Sequence, residues 1–559
     1  MKKRVVGIAA SIAMLAVAMG VPQGAVAQER KAREGLVWGS CEGGVPVTGV
    51  VSTGGGANPM ECATLRVPLD YANPQQTIGI ALNRIRGRAV HDRLGALLVN
   101  PGGPGASGRD LVRTVVAGLP DGLADRFDVI GFDPRGVGAS DPALKCVDPK
   151  KYYEAPRPDQ VPVTRRDENV LIGRARRYAE ACGERWSWML PHMTTENSAR
   201  DMDVIRAALG ESKISFLGYS YGTYLGAVYA TLFPDRLRRL VLDSVVDPRG
   251  IWYRSNLDQS VAFQDRHEDF LKWVARHNPV YRLGATEKAV SFAWDAMRAR
   301  LGGRPAGGVV GPSELDDVYT LGGYSDVIWP QLAKAFSAYV KKGEATPLVN
   351  AYRKHAVNDD KDENNYAVYL AVQCRDAVWP RDWAHWRTDM TRVHARAPFL
   401  TWPNAWYNAP CAFWPQPAGT PVRIHDDAKL PPVLLIQGQR DAATPYAGAV
   451  RMRALFPRSR LLAVPGGNHG IALNGNACVD RRLAAYLRDG TLPGTRQTSA
   501  PDARCPGVPA PVPVAAPAPV RVPAGHAAGR VAGRVAGRVA GHMVGNTVRH
   551  SVERDGQSR

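Results

Sequence analysis

Six short runs of this chain are almost wholly apolar and break off at Gly, Asp or Pro: GALLVNPGG from Gly95, FDVIGFD from Phe127, ISFLGYS from Ile214, LRRLVLDSVV from Leu237, PVLLIQGQ from Pro432 and RLLAVPGG from Arg460. Runs of that length, rich in Val, Leu and Ile, are what strands buried on both faces look like. Helix-like stretches separate them, so the strands are expected to pair in parallel through right-handed crossovers. The class predicted is α/β, with a mostly parallel central sheet. The apolar runs stop near Val246 and resume near Val433, and the interval is rich in Trp with helical periodicity, as in SFAWDAMRARL and QLAKAFSAYVKK. An insertion of that length between two strands of one sheet predicts a large, mainly helical lid over the strands' carboxyl ends.

Both ends of the 559-residue chain stand apart from that fold. Lys2, Lys3 and Arg4 precede an apolar run from Val5 to Met19, and Ala25-Val26-Ala27 stands before Gln28. A basic start, a short apolar stretch and a small-x-small site read as a signal peptide over residues 1–27, and so as a secreted, extracellular protein. No segment offers the roughly 20 consecutive apolar residues of a membrane span, and no Cys sits at the cut to carry a lipid. After Cys505 come PGVPAPVPVAAPAPVRVPAG and AGRVAGRVAGRVAGHM. Pro and Ala keep such a chain extended and solvated, and the Ala-Gly-Arg-Val repeat lacks the bulk for a core, so residues 506–559 are expected to be disordered. Seven arginines against Glu553 and Asp555 give that tail +5 of the formal +19. It suits a solubilising role or weak contact with an acidic cell-wall polymer. No fold motif supports nucleic-acid binding. The core then comprises residues 28–248 and 431–505, and the lid residues 249–430.

The cysteines agree with export. Cys41, Cys62, Cys146, Cys182, Cys374, Cys411, Cys478 and Cys505 are an even set, and no C-x-x-C makes a zinc motif. No metal or cofactor is expected. Such a set allows on the order of a hundred pairings, and because short loops close most readily, sequential neighbours are the expected partners, Cys41 with Cys62 first.

The run from Ile214 ends in Gly218-Tyr219-Ser220-Tyr221-Gly222, a G-x-S-x-G between an expected strand and a helix from Tyr221 to about Phe233. That context is what a nucleophile elbow requires: a sharp turn forces the central residue toward positive φ and lifts its oxygen above the sheet, while flanking glycines relieve the crowding. Ser220 is the candidate nucleophile, and the Tyr221 backbone N–H a candidate oxyanion donor. A second donor is expected in the Gly-rich loop NPGGPGASG, Asn100 to Gly108, from the Gly103 amide or alternatively Gly102. The loop lacks the G-K-[ST] ending of a phosphate loop. In this fold class the acid and then the base follow the nucleophile. Asp441 lies just past a strand in IQGQRDAATP, and His469 past the next in VPGGNHG. Asp247, in LDSVVDP, is the alternative acid.

Taken together, NPGGPGASG, GFDPRGVGAS from Gly131, GYSYGTYLG, RDAATP and GGNHG resemble, in order and from about Trp38 to Cys505, the secreted tripeptidyl-aminopeptidase-like branch of the α/β-hydrolases, related to proline iminopeptidases. The resemblance implies a secreted serine exopeptidase that removes short peptides from free N-termini, with Ser220 at the nucleophile position, Asp441 at the acid and His469 at the base. Asn100-Pro101 stand where proline iminopeptidases usually place a His, which weakens a single-proline specificity. The same triad would serve a secreted carboxylesterase or lipase. A site that reads a free α-ammonium needs a carboxylate facing it. In NDDKDENNYAVYLAVQCRD the candidate is Asp376, which follows an apolar run and Cys374; Asp359, Asp360, Asp362 and Glu363 are the alternatives.

Overall fold

The computed structural model describes residues 36–41, 58–120 and 122–513. The leader and most of the basic tail, with the surface contacts expected of it, lie outside the described residues. Among the described residues ten strands form one sheet: β1 Gly39–Ser40, β2 Met60–Pro68, β3 Thr77–Ile85, β4 Gly95–Asn100, β5 Phe127–Phe132, β6 Ile214–Tyr219, β7 Leu237–Asp243, β8 Val433–Gly438, β9 Arg460–Val464 and β10 Ala503–Arg504. Their order is β1-β2-β3-β5-β4-β6-β7-β8-β9-β10. The six apolar runs are β4 to β9, all paired in parallel with one another. The antiparallel β1–β3 edge joins through β3 and β5.

The parallel strands are apolar through their centres because both faces of the sheet are buried there. Successive side chains of a strand point to opposite sides. Leu98 and Phe216 accordingly join one buried layer and Leu97 and Leu217 the other. Between β7 and β8 the chain is helical, including Tyr253–Arg276, Pro312–Tyr324, Trp329–Lys342 and Asp360–Asp376. This lid has its own core around Trp273, Trp294, Trp329 and Phe336, into which Ala442 and Ala443 project from the loop after β8. Lid and sheet thus share a wall at that loop.

Four disulfides join sequential neighbours, Cys41–Cys62, Cys146–Cys182, Cys374–Cys411 and Cys478–Cys505, as loop closure favours. The start of the Pro-rich tail differs from expectation. Asn476 Nδ2 donates to Pro506 O at 2.8 Å and Trp273 Nε1 to Pro511 O at 3.0 Å, so residues up to 513 lie on the fold. An extended Pro-rich segment has no internal hydrogen bonds, which leaves its carbonyls open to such donors. Among the described residues no helix is long and apolar enough to cross a membrane.

Candidate active site

Strand β6 delivers Ser220 to the start of the helix Tyr221–Leu232 at φ 55°, ψ −125°. Few residues with a side chain adopt that conformation, and its cost is sustained only where the surroundings over-determine it. The neighbouring glycines supply the reason. A Cβ on Gly218 would lie 2.4 Å from Gly222 O, and one on Gly222 would lie 2.8 Å from Asn100 O. The helix start therefore rests directly on the strand ends, and the serine is squeezed out above them.

Gly102 abuts the elbow: a Cβ there would lie 2.6 Å from Tyr219 O and 3.0 Å from Tyr221 N. Its N–H donates to Asn100 Oδ1 at 3.0 Å, which removes it as a free donor and gives Asn100 a turn-shaping task. Gly103, the next residue, borders the cavity with Ser220 and Tyr221. Tyr221 is the first residue of its helix, so its N–H belongs to the end of a helix that has no partner within the helix. Its phenol points away and pairs with Thr195 Oγ1 at 2.8 Å.

His469 Nδ1 lies 3.0 and 2.9 Å from the two oxygens of Asp441, whose side chain is fully buried. Thr444 fastens that carboxylate, donating from N at 3.0 Å and from Oγ1 at 2.9 Å. A proton on Nδ1 shared with Asp441 leaves Nε2 as the acceptor, and among the described residues Nε2 has no hydrogen-bond partner. Burial alone pushes the imidazole pKa down; the charge of Asp441 and its hydrogen bond outweigh that, and the net direction is up from 6.5. Asp247 is not in this group. It is clamped by Arg451, with Nη2 at 2.6 Å, on the cavity wall.

Sequence reasoning missed Asp243, at the end of β7. Its backbone O accepts Ser220 N–H at 3.0 Å, while its carboxylate Oδ2 accepts the amides of Ile471 and Ala472 at 2.9 and 2.5 Å. One residue thus ties the elbow to the loop that carries His469. Ser244 adds an acceptor for Gly470 N–H at 2.7 Å. A strand ending in Asp was the only signal in the sequence, and it is a weak one.

The cavity over Ser220 measures about 640 Å³ and is walled by core loops and lid helices. From the helix Asp360–Asp376 it takes Asp362, Asn365, Tyr366, Tyr369 and Gln373. Asp376 does not border it, a correction to the sequence reading. Both its oxygens hold the start of the helix Thr195–Ala208, accepting Thr195 N at 2.8 Å and Thr195 Oγ1 at 2.6 Å, with Trp252 Nε1 at 3.3 Å. The other acids divide clearly. Asp359 caps its helix, Asp360 pairs with Lys145, and Glu363 accepts the amides of Cys146 and Val147. Asp362 is left at the cavity. One of its oxygens accepts Asp359 N–H at 3.0 Å, and Oδ1 has no partner among the described residues. Burial, with the Asp359 charge beside it, pushes its pKa up from 3.8 to about 7. Among the described residues no group of three or more His, Cys, Asp or Glu could hold a metal ion.

Comparison with known proteins gives the family. Residues 95–475 match the alpha/beta hydrolase fold family. The chain is 45% identical over 489 residues to a tripeptidyl aminopeptidase of Streptomyces lividans, covering 86% of this chain and 89% of that protein. It is 31% identical to the serine protease Hip1 of Mycobacterium tuberculosis, over 83% of this chain and 91% of the relative. It is 33% identical to a carboxylesterase B of the same species, over 83% and 90%. With such identity along most of its length, this chain belongs to the tripeptidyl-aminopeptidase-like serine hydrolases of the α/β-hydrolase fold.

Proposed function

We propose that this protein is a secreted serine exopeptidase that releases short peptides, tripeptides foremost, from free N-termini. Ser220 is the nucleophile, His469 the base and Asp441 the residue that orients and stabilises it. As Ser220 Oγ attacks the carbonyl carbon, its proton passes to His469 Nε2, and the amides of Gly103 and Tyr221 take the oxyanion. The imidazolium then protonates the departing amine, and water repeats the sequence on the acyl-enzyme to free the peptide carboxylate. Four disulfides and the leader-like N-terminus support export.

The observation that carries the exopeptidase reading is that one cavity unites Ser220 with Asp362, a buried acid holding an unpartnered oxygen. A Cβ on Gly105 would lie 2.3 Å from Asn365 O, so the lid helix rests on the oxyanion loop at Asn365. Asp362 stands one helical turn further, about 5 Å along the axis. Three extended residues span about 10 Å, so a peptide of that length, acylating Ser220, can bring its ammonium toward Asp362. Asp362 thereby replaces Asp376 as the proposed amine anchor.

The test is a panel of aminoacyl, dipeptidyl and tripeptidyl chromogenic amides, free and N-acetylated, beside short and long acyl esters. Fastest turnover of free tripeptidyl amides supports the proposal. Equal cleavage of free and acetylated peptides excludes it. Preference for esters selects instead the carboxylesterase reading, which the triad and the carboxylesterase relative favour.

A further inference from the structure

The loop carrying His469 is held from two sides, and only one of them belongs to the core. Asp243 and Ser244 grip residues after the histidine from the sheet side. From the other side the lid grips the histidine itself. His469 N–H donates at 2.8 Å to Tyr324 O, at the end of the helix Pro312–Tyr324. The last carbonyls of a helix have no partner within it, so this one is satisfied by the backbone of the base. One residue earlier, Asn468 makes a reciprocal pair with the turn that follows: Oδ1 accepts Asp326 N–H at 2.9 Å, and Nδ2 donates to Asp326 Oδ1 at 3.0 Å.

Four further contacts stiffen the same corner. Arg266, from the helix Tyr253–Arg276, is nearly fully buried, with Nη2 3.9 Å from Asp326 Oδ2 and its guanidinium 4.8 Å from the centre of the Trp329 ring. Gly467 lies against it so tightly that a Cβ would meet Arg266 Nε at 2.4 Å. The Tyr324 ring stands edge-on to the His469 imidazole, centroids 5.5 Å apart. Nothing in this set is needed to close the helix or the loop alone. The pairing is between them.

We propose that Asn468 and Asp326 are positioning residues for His469, clasping the base loop to the lid so that the imidazole is held in line with Ser220 only while this corner of the lid is seated. The inference rests on His469 being the base. It makes the lid a part of the proton-transfer apparatus as well as a cover. A misplacement of about 1 Å at a reacting group is enough to cost about a hundredfold in rate. A slackened loop would therefore be read in kcat while ground-state binding, which the cavity wall supplies, stays near normal.

The test compares Asn468→Ala, Asn468→Asp and the exchanged pair Asn468→Asp with Asp326→Asn, with His469→Ala as reference. Asn468→Asp sets two carboxylates face to face, whereas the exchanged pair keeps an acceptor for the backbone N–H of residue 326 and reforms the side-chain bond with donor and acceptor reversed. kcat and KM are measured on a free tripeptidyl anilide and on a short acyl ester, well below each variant's Tm. Asn468→Ala is expected to lower kcat about ten- to a hundredfold on both substrates, with KM within about threefold of wild type. Asn468→Asp is expected to fall further, and the exchange to recover most of kcat. Unchanged kcat in Asn468→Ala overturns the clasp, as does a lower Tm with normal kcat, or an exchanged pair that regains Tm but not kcat. If Asn468→Asp does not fold, Asn468→Ala and the exchanged pair still decide. Wild-type turnover in His469→Ala would remove the base assignment itself, a result distinct from all of these.

Discussion

Replacing Asp362 by Asn tests the substrate reading most directly, because the substitution changes charge and little else. One oxygen of Asp362 accepts Asp359 N–H in the helix cap, which an Asn oxygen can retain, and the other has no partner to lose. The helix start should survive. What disappears is the counter-charge for a substrate ammonium, and losing one partner of a desolvated pair costs on the order of 3 to 5 kcal/mol, several hundredfold or more in kcat/KM. The assay is kcat/KM for a free tripeptidyl anilide divided by that for its acetylated counterpart. With the Asp362 pKa at about 7 and a peptide α-amino group near 8, the ratio should be largest between those values and fall on either side. In Asp362→Asn it should collapse to within about tenfold of unity at every pH, through loss on the free substrate alone. Stability gives a second reading of the same charge. Burial disfavours the ionised form in the folded protein, so the contribution of Asp362 to stability is greatest below pH 3.8 and declines as pH rises from 3.8 to about 7. Asp362→Asn should therefore raise Tm at pH 8 and change it little near pH 4. A wild-type ratio in Asp362→Asn would refute the anchor, and a lowered Tm at pH 8 would refute the account of its burial.

Ser220→Ala should lower turnover of peptides and esters more than about a thousandfold while Tm is preserved; residual activity above that level would end its role as nucleophile. On an acetylated ester, which bypasses Asp362, kcat/KM should fall on acidification as His469 takes a proton. Its midpoint should lie above 6.5, the direction set by Asp441, and a flat profile between pH 5 and 8 would exclude His469 as base. Gly102→Ala must place a side chain at φ 105° with Cβ 2.6 Å from Tyr219 O, so both Tm and kcat should drop, by at least about 1 to 2 kcal/mol in stability; a wild-type melt would show that this loop does not press on the elbow.

The parts of the fold legible in the sequence are those whose signal is local. Strands β4 to β9 are covered on both faces, so burial wrote continuous apolar runs into them. Strand β2 reads MECATLRVP, and only its last residues are well buried; β10 is two residues long. Neither carries such a run. Ser220, Asp441 and His469 each sit in the first loop after a parallel strand, a place sequence can locate. The choice between Asp247 and Asp441 was lateral, because both follow strands. It is decided by Arg451 on the neighbouring helix Tyr446–Leu455, which takes Asp247, and by Thr444, which holds Asp441 toward His469. Neither contact has a periodicity to betray it.

The amine-anchor candidates show the limit most sharply, since Asp362, the proposed anchor, and Asp376 stand at opposite ends of one helix and only Asp362 borders the cavity over Ser220. Asp362, Asn365, Tyr366, Tyr369 and Gln373 recur at three- and four-residue spacing and form the stripe of the helix Asp360–Asp376 that borders the cavity. The next position on that stripe is Asp376. Both acids therefore share nearly one face, and amphipathic patterning cannot tell them apart. They lie about 21 Å apart along the axis, so only one of them can meet a peptide bound at Ser220. Contacts with distant segments separate their surroundings: Asn365 rests on Gly105, which sets the first turn beside the Gly-rich loop, while Thr195 and Trp252 bond both oxygens of Asp376. Three donors take most of the acceptor capacity of Asp376, and it does not border the cavity over Ser220. Next to the Cys374–Cys411 disulfide, Asp376 joins the lid helix to the start of the core helix Thr195–Ala208.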